Sequence, residues 1–478
     1  PAAFGLSPAI ETETTPTMSA HAQHARPDTG IAPERIRSLL QHERAHYQAH
    51  NPRSQALASQ AAEHLMFGVP LHWMNDWGTP FPLQVAHAEG ARLTDLDGHQ
   101  LADFCLGDTG AMFGHSPASV TSALQRQAAQ GLTTMLANED GAVVGRLLAE
   151  HFGLPQWQFA MTATDANRFV LRWLRAATGR KVLLVFNGCY HGTVDDVFVD
   201  LIDGEPIQRP SLLGQVHDLL GTTRVVEFND LAALDAALAP GDVACVLAEP
   251  VMTNIGMVMP QPDYWAEAQK IIRRHGALLV MDETHTLSSG PGGYARAHGI
   301  DADAVVVGKA LGGGMPCAAY GFSAAVAERA QAAKLAAPPG HSGIGTTLTA
   351  NLLAMAAMRA TLEQLLTPTV FAPMHARAAC LAGGLREVIA RHGLPWCVTQ
   401  VGARTEFQFC AVPPRNGTEA GAAMDAELEH ALHLYLLNRG VLITPFHNMM
   451  LVCPDTTDAD VARLVEAMDS ALTELTNA

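Results

Sequence analysis

Short apolar runs recur through the middle of the chain, at residues 181–186 and 242–248, each opening on one charged residue (Lys181, Asp242), and at 277–281 and 304–307. Between and around them, apolar residues recur at helical spacing, near 116–130, after Thr164, and over 264–275. Strands apolar on both faces need cover on both faces, so the pattern predicts an α/β domain with a mostly parallel sheet sandwiched by helices. Ligands of such sheets collect beyond the carboxyl ends of the strands. Glu249, Asp282 and Lys309 each fall just after one of these runs, so three runs point to one cleft.

The flanks read differently. Residues 1–30 mix Pro, Thr, Ala, His and Glu without apolar periodicity and are expected to be a flexible tail. Residues 31–64 have amphipathic helical spacing, 66–82 are irregular and aromatic, and the alternation over 83–99, with Asp97-Gly98 as its turn, predicts a β-hairpin. A long helix is expected over about 350–365. Beyond it, residues 369–478 read as helices with short strands at 405–412 and 441–444. The expected division is a tail (1–30), an N-terminal segment joining the smaller domain (31–99), a large α/β domain (100–350), and a smaller α+β domain that includes the linking helix (351–478).

Composition narrows the partners. The chain has 478 residues, 48% of them hydrophobic, and a formal net charge of −17. No basic tract is present to neutralise phosphates, so nucleic acid and anionic membranes are not expected as partners, and small molecules are. Eight cysteines are scattered without a Cys-x-x-Cys pair, which fits reduced thiols in the cytoplasm. The 22 histidines, His191 and His285 among them, show no metal-ligand spacing, and no metal is expected.

The candidate chemistry lies at Ala277-Leu-Leu-Val-Met-Asp282 and at Ala304-Val-Val-Val-Gly-Lys309, the latter followed by Gly312-Gly-Gly-Met315. A lysine between a buried strand and a glycine cluster is placed to form a Schiff base inside a cleft. A strand-end carboxylate is what a pyridinium nitrogen needs as its partner, so the pair suggests pyridoxal 5′-phosphate. The other reading is a buried Lys–Asp pair joining two strand ends, though such pairs seldom stabilise a fold.

With the upstream Leu247-Ala-Glu-Pro-Val251, these runs resemble the class III aminotransferase family of fold-type I pyridoxal phosphate enzymes, from about Phe81 into the C-terminal domain. The resemblance implies that Lys309 is the Schiff-base lysine and Asp282 the partner of the ring nitrogen, with Glu249 and His191 beside the cofactor. Met161-Thr-Ala-Thr-Asp-Ala-Asn167 stands where the family has a phosphate motif, so Thr162, Ala163 and Thr164 would hold the phosphate at a helix start. The family's glycine is missing there, and an ordinary helix cap is the competing reading. Tyr190 would stack on one ring face and Thr284 cover the other. Thr346 and Thr347 align with a threonine that reaches the partner subunit's phosphate, which implies a homodimer with shared sites.

For the substrate, the arginines that clamp carboxylates in β-amino acid members are replaced by Leu71-His-Trp-Met-Asn-Asp-Trp77 and Pro445-Phe-His-Asn448. Arg404 is a candidate carboxylate ligand, or a surface arginine on a strand. Trp73, Trp77 and Phe113 are candidate pocket walls, or core. The leading expectation is an aminotransferase passing nitrogen from an amine or amino acid to a keto acid or aldehyde in two half-reactions. The alternatives are an aminomutase or racemase using the same Lys and Asp, and a non-catalytic cofactor-binding protein. The aminomutase branch carries a small-residue gating loop that is not recognised between Asp195 and Thr222, which places the aminotransferase first.

Overall fold

A computed structural model describes residues 26–477, so most of the expected tail, 1–25, lies outside the described residues. The end of that span is held to the body: Arg26 Nε pairs with Asp425 at 2.6 Å, and Trp396 Nε1 donates to the Thr29 carbonyl at 2.7 Å.

The central sheet has seven strands, in spatial order Gln156–Ala160, Ala318–Phe322, Ala304–Val307, Leu278–Asp282, Val243–Ala248, Val182–Phe186 and Thr223–Val226. Only Ala318–Phe322 runs against its neighbours. The period-two alternation of strands sorts its residues onto two layers. Leu183, Val185, Cys245, Leu247, Val280 and Val306 pack on the side of helix Ala163–Thr178. Leu184, Phe186, Val246, Leu279, Val305 and Val307 pack on the side of helix Tyr264–Arg274. Val243–Ala248 and Leu278–Asp282 are buried at every position, which explains why they are apolar throughout up to Asp282 itself.

The flanks form the rest of the molecule. Strands Val85–Glu89, Arg92–Asp95 and Gln100–Asp103 make an antiparallel meander, to which the late strand Val441–Leu442 adds in parallel. Cys397–Val401, Arg404–Gln408 and Met449–Leu451 form a second small sheet. Helices Pro33–His50, Pro368–Arg391, Ala426–Asn438 and Asp458–Thr476 pack around them.

Four local expectations change. The helix expected over 31–64 is two, Pro33–His50 and Pro52–Ala61, because the ring of Pro52 disfavours helical backbone at Asn51, which sits at φ −121°, ψ 50°. The hairpin over 83–99 reverses at Gly90, and the Asp97-Gly98 turn instead leads into a third strand. The strand at 405–412 ends at Gln408 and that at 441–444 at Leu442. Among the described residues no helix is long and apolar enough to cross a membrane.

Candidate active site

Three strand ends and one helix start converge on a cavity of about 280 Å³. Strand Leu278–Asp282 delivers Asp282 and Thr284, Val243–Ala248 delivers Glu249, and Ala304–Val307 delivers Lys309 through Gly308. The start of helix Ala163–Thr178 closes one end, and the loop after Val182–Phe186 adds Tyr190 and His191. Gly308 is required at the junction: a Cβ there would lie 2.9 Å from the Cβ of Ala163. Nine of the expected residues line this cavity, namely Thr162, Ala163, Thr164, Tyr190, His191, Glu249, Asp282, Thr284 and Lys309.

Asp282 is the most heavily supported group. Its Oδ2 accepts from His191 Nδ1 at 3.0 Å and Asn167 Nδ2 at 2.9 Å, and its Oδ1 from the Thr284 hydroxyl at 2.6 Å. Burial alone would raise its pKa, but the His191 hydrogen bond and charge and the other two donors outweigh it and hold the carboxyl at about 2. Burial likewise opposes the charge on His191, and Asp282 with Cys189 reverses this, raising it to about 10. The pair is therefore carboxylate and imidazolium at neutral pH. Glu249 has only the Thr253 hydroxyl and amide, and burial pushes it up to about 7.

Lys309 sits in a second charge cluster. Its Nζ donates to Asp108 Oδ2 at 2.6 Å and to His285 Nε2 at 2.9 Å. On the far side of His285, Thr109 Oγ1 is 3.0 Å from Nδ1 and accepts from Arg404 Nη2 at 2.5 Å. Burial, then the charges of Lys309 and Arg404, push His285 well below its ordinary pKa, so it is neutral. Burial would raise Asp108, but Lys309, His285 and Arg404 together hold it far below the usual carboxylate range. The backbone here is strained: Lys309 lies at φ 45°, and Leu106, Asp108 and Thr109 at 47°, 47° and 83°. Left-handed conformations of non-glycine residues cost of order 1–3 kcal/mol each and persist where the surroundings over-determine them.

At the helix start, the Thr162 hydroxyl accepts from the Asp165 amide at 3.1 Å as an N-cap. The amides of Ala163 and Thr164 have no partner among the described residues, and both residues line the cavity. Gly192, at φ 79°, lets the next loop approach: a Cβ there would lie 2.0 Å from Thr164 Oγ1.

The remaining expected residues lie elsewhere. Thr346 and Thr347 are exposed, away from this chain's own cavity. Trp73 stands edge-on to Phe446 at 6.0 Å, and Trp77 packs partly buried against the main core. Phe113 is no pocket wall, since it is 2% exposed and packs against Phe371. Arg404 neither lines the cavity nor lies at the surface. It is 1% exposed and turned toward Thr109 and His285, because its strand runs behind the loop carrying Asp108.

The class-III aminotransferase model matches residues 73–472. The chain belongs to the class-III aminotransferase family. It is 33% identical over 430 residues to a glutamate-1-semialdehyde 2,1-aminomutase of Sorangium cellulosum (strain So ce56), spanning 88% of this chain and 96% of that relative. A solved glutamate-1-semialdehyde-aminomutase of Pseudomonas aeruginosa PAO1 is 47% identical, with a TM-score of 0.92, over 93% of this chain and all of that one. A lysine-to-alanine form of that protein was solved with PMP. A β-phenylalanine aminotransferase of Variovorax paradoxus is 30% identical, with a TM-score of 0.81, over 91% and 97% of the two chains.

The fold is thus that of fold-type I pyridoxal phosphate enzymes, and this class-III member is an enzyme of that kind. The family's cofactor, pyridoxal 5′-phosphate, fits the residues present. The unpartnered amides at a helix N-terminus suit a phosphate without basic side chains. The anionic Asp282 suits a pyridinium, and Lys309 is within the same cavity.

Asp108, Asn167 and Arg404's contact with Thr109 were not singled out from sequence. Gly107-Asp-Thr-Gly110 directly after a strand-forming run was the available signal, since glycine-flanked polar residues at a strand end are placed to reach a cleft.

Proposed function

We propose that this protein is an aminomutase of the glutamate-1-semialdehyde type, moving an amino group between neighbouring carbons of one small amino-carbonyl substrate. This reverses the order expected from sequence, where the aminotransferase came first. What carries the reading is the 47% identity and TM-score of 0.92 to the Pseudomonas aeruginosa aminomutase, against 30% and 0.81 for the β-phenylalanine aminotransferase. The site is compatible with it: among the described residues no arginine lines the cavity to demand a carboxylate on the carbon that bears the amine.

In this reading the bound cofactor supplies an electron sink for the carbon that loses its proton. Asp282, kept ionised by His191, Asn167 and Thr284, holds the proton on the ring nitrogen. Lys309 Nζ removes the proton from one carbon and returns it to the other. Tyr190 and Thr284 both line the cavity, where each would cover one face of the ring.

A homodimer with shared sites belongs to the same proposal. Thr346 and Thr347 are exposed beside Leu348, and Leu132, Met135 and Leu136 are exposed apolar residues. A larger cavity of about 840 Å³, between Arg172 and the 337–344 segment, offers room for a partner's loop. All eight cysteines are free thiols, in keeping with a cytoplasmic location.

The test is to give the holoenzyme glutamate-1-semialdehyde alone and follow the isomer with amino and carbonyl groups exchanged. Turnover without a second carbonyl compound supports the mutase. A strict requirement for an added keto acid or aldehyde returns the aminotransferase to first place, a reading the Variovorax paradoxus similarity supports.

A further inference from the structure

We propose that Asp108 and His285 are further catalytic residues of this site, a counter-ion and a neutral hydrogen-bond acceptor that together fix the charge and direction of the Lys309 nitrogen, with Arg404 as their positioning residue.

The geometry carries this. Asp108 Oδ2 and His285 Nε2 are both within hydrogen-bond reach of Nζ, at 2.6 and 2.9 Å, from two different loops. The loop carrying Asp108 is not there by default. The 106–109 segment has positive φ at four consecutive residues, three of them non-glycine, a conformation held only by its surroundings. Arg404 is one such constraint: buried on strand Arg404–Gln408, it donates to the Thr109 hydroxyl next to Asp108 and lies 3.2 Å from His285 Nδ1. Its Nε and Nη1 have no partner among the described residues, so its burial there serves this contact and its charge rather than a saturated network.

The charges around Nζ make Asp108 decisive. From the neighbouring elements, Asp282 faces the site paired with His191, Glu249 is turned to Thr253 and pushed up to about 7 by burial, and Tyr190 is neutral. Among the described residues Asp108 is therefore the carboxylate that directly meets the Lys309 nitrogen, and Arg404 is the cation that opposes it. With Asp108 and a neutral His285 each taking one N–H, one direction of Nζ is left, and Lys309 lines the cavity. With the nitrogen joined to the cofactor, the same carboxylate favours the protonated form of that linkage, and Arg404 disfavours it.

The proposal rests on the pyridoxal phosphate assignment but not on which amine is moved, because its test needs no substrate. The visible band of the holoenzyme is titrated with pH, with circular dichroism as the check on folding. Asp108→Asn lowers the midpoint by one pH unit or more, a tenfold loss of proton affinity. Asp108→Glu keeps most of the wild-type value, and Arg404→Gln shifts the midpoint upward. His285→Gln, an exchange of one neutral group for another, leaves it near the wild type. An Asp108→Asn midpoint equal to the wild type overturns the proposal, as does a downward shift in Arg404→Gln. Should Asp108→Asn fail to fold, the sign in Arg404→Gln decides, since a merely structural arginine would not move the midpoint upward.

Discussion

His191 Nδ1 donates to Asp282 Oδ2 at 3.0 Å, and both side chains are buried, at 1% and 4% exposure for the two residues. The contact ties the loop after one central strand to the end of another, and fixes the ionisation of both groups. Asp282 has a depressed pKa, so its contribution to stability is full above the unfolded carboxylate value and is lost as pH falls toward about 2. His191 has a raised pKa, so its contribution is full below the unfolded histidine value and is lost as pH rises toward about 10. Both are complete together between about pH 4 and 6.5. His191→Ala leaves Asp282 buried without its cation, and a loss of about 3–5 kcal/mol is expected at pH 6. Denaturant unfolding at pH 6 and pH 10 checks it: the deficit relative to the wild type should shrink at the higher pH.

Lys309 combines the reactive nitrogen with a strained backbone at φ 45°. Both Lys309→Ala and Lys309→Gly should lose the visible band and turnover while keeping the fold. They should differ in stability. Alanine keeps the left-handed penalty, whereas glycine relieves it at some cost in unfolded-chain entropy. The apoprotein of Lys309→Gly is expected to be more stable than that of Lys309→Ala by up to about 1 kcal/mol. Thermal unfolding of the two apoproteins measures this, and an alanine variant equal to or better than glycine would show that the conformation is not strained.

Gly192 sits between Tyr190-His191 and the helix start that is expected to hold the phosphate. A Cβ at this position would come within 2.0 Å of Thr164 Oγ1 and 2.8 Å of Thr164 Cα, at a φ of 79°. Gly192→Ala must push the loop or the first helical turn apart, just where Ala163 and Thr164 line the cavity. Cofactor affinity should fall at least tenfold, with a stability loss of more than about 1 kcal/mol. Equilibrium dialysis against pyridoxal 5′-phosphate separates the two effects.

The legible parts of this protein were those written in local pattern. Residues 277–282 and 304–309 carry a buried strand and its polar end in one run, so Asp282 and Lys309 could be placed before any tertiary information. Strand Thr223–Val226 escaped because it is a short edge strand with Arg224 in it, and Ala318–Phe322 because its Ala and Gly are weak strand formers. Asp108 and the contact of Arg404 with Thr109 were hidden for a different reason. Asp108 meets Lys309 and Arg404 meets Thr109 across 201 and 295 residues, respectively, of intervening chain, and the positive φ values that aim the 106–109 loop are imposed by that packing. The same distance in sequence explains Phe113, whose partner Phe371 turned a candidate pocket wall into core.

Glu429 offers a test on the other side of the small sheet. It lies on helix Ala426–Asn438 at 6% exposure, near Glu406, Asp425 and His447. Burial pushes its carboxyl up to about 8, with His447 opposing and the two acidic neighbours reinforcing the shift. A folded carboxyl that binds its proton more tightly than the unfolded one loses stability as pH rises from the unfolded value through the folded one. The protein should therefore become less stable between about pH 4.5 and 8 on this account. Glu429→Gln keeps the shape and removes the ionisation, so it should be close to the wild type at pH 5 and more stable by about 1 kcal/mol or more at pH 8.5. The comparison is the difference in unfolding free energy between variant and wild type at the two pH values. A gain of the same size at both would assign the effect to packing of the amide, and a loss at pH 8.5 would mean that the ionised carboxylate is the form the fold prefers.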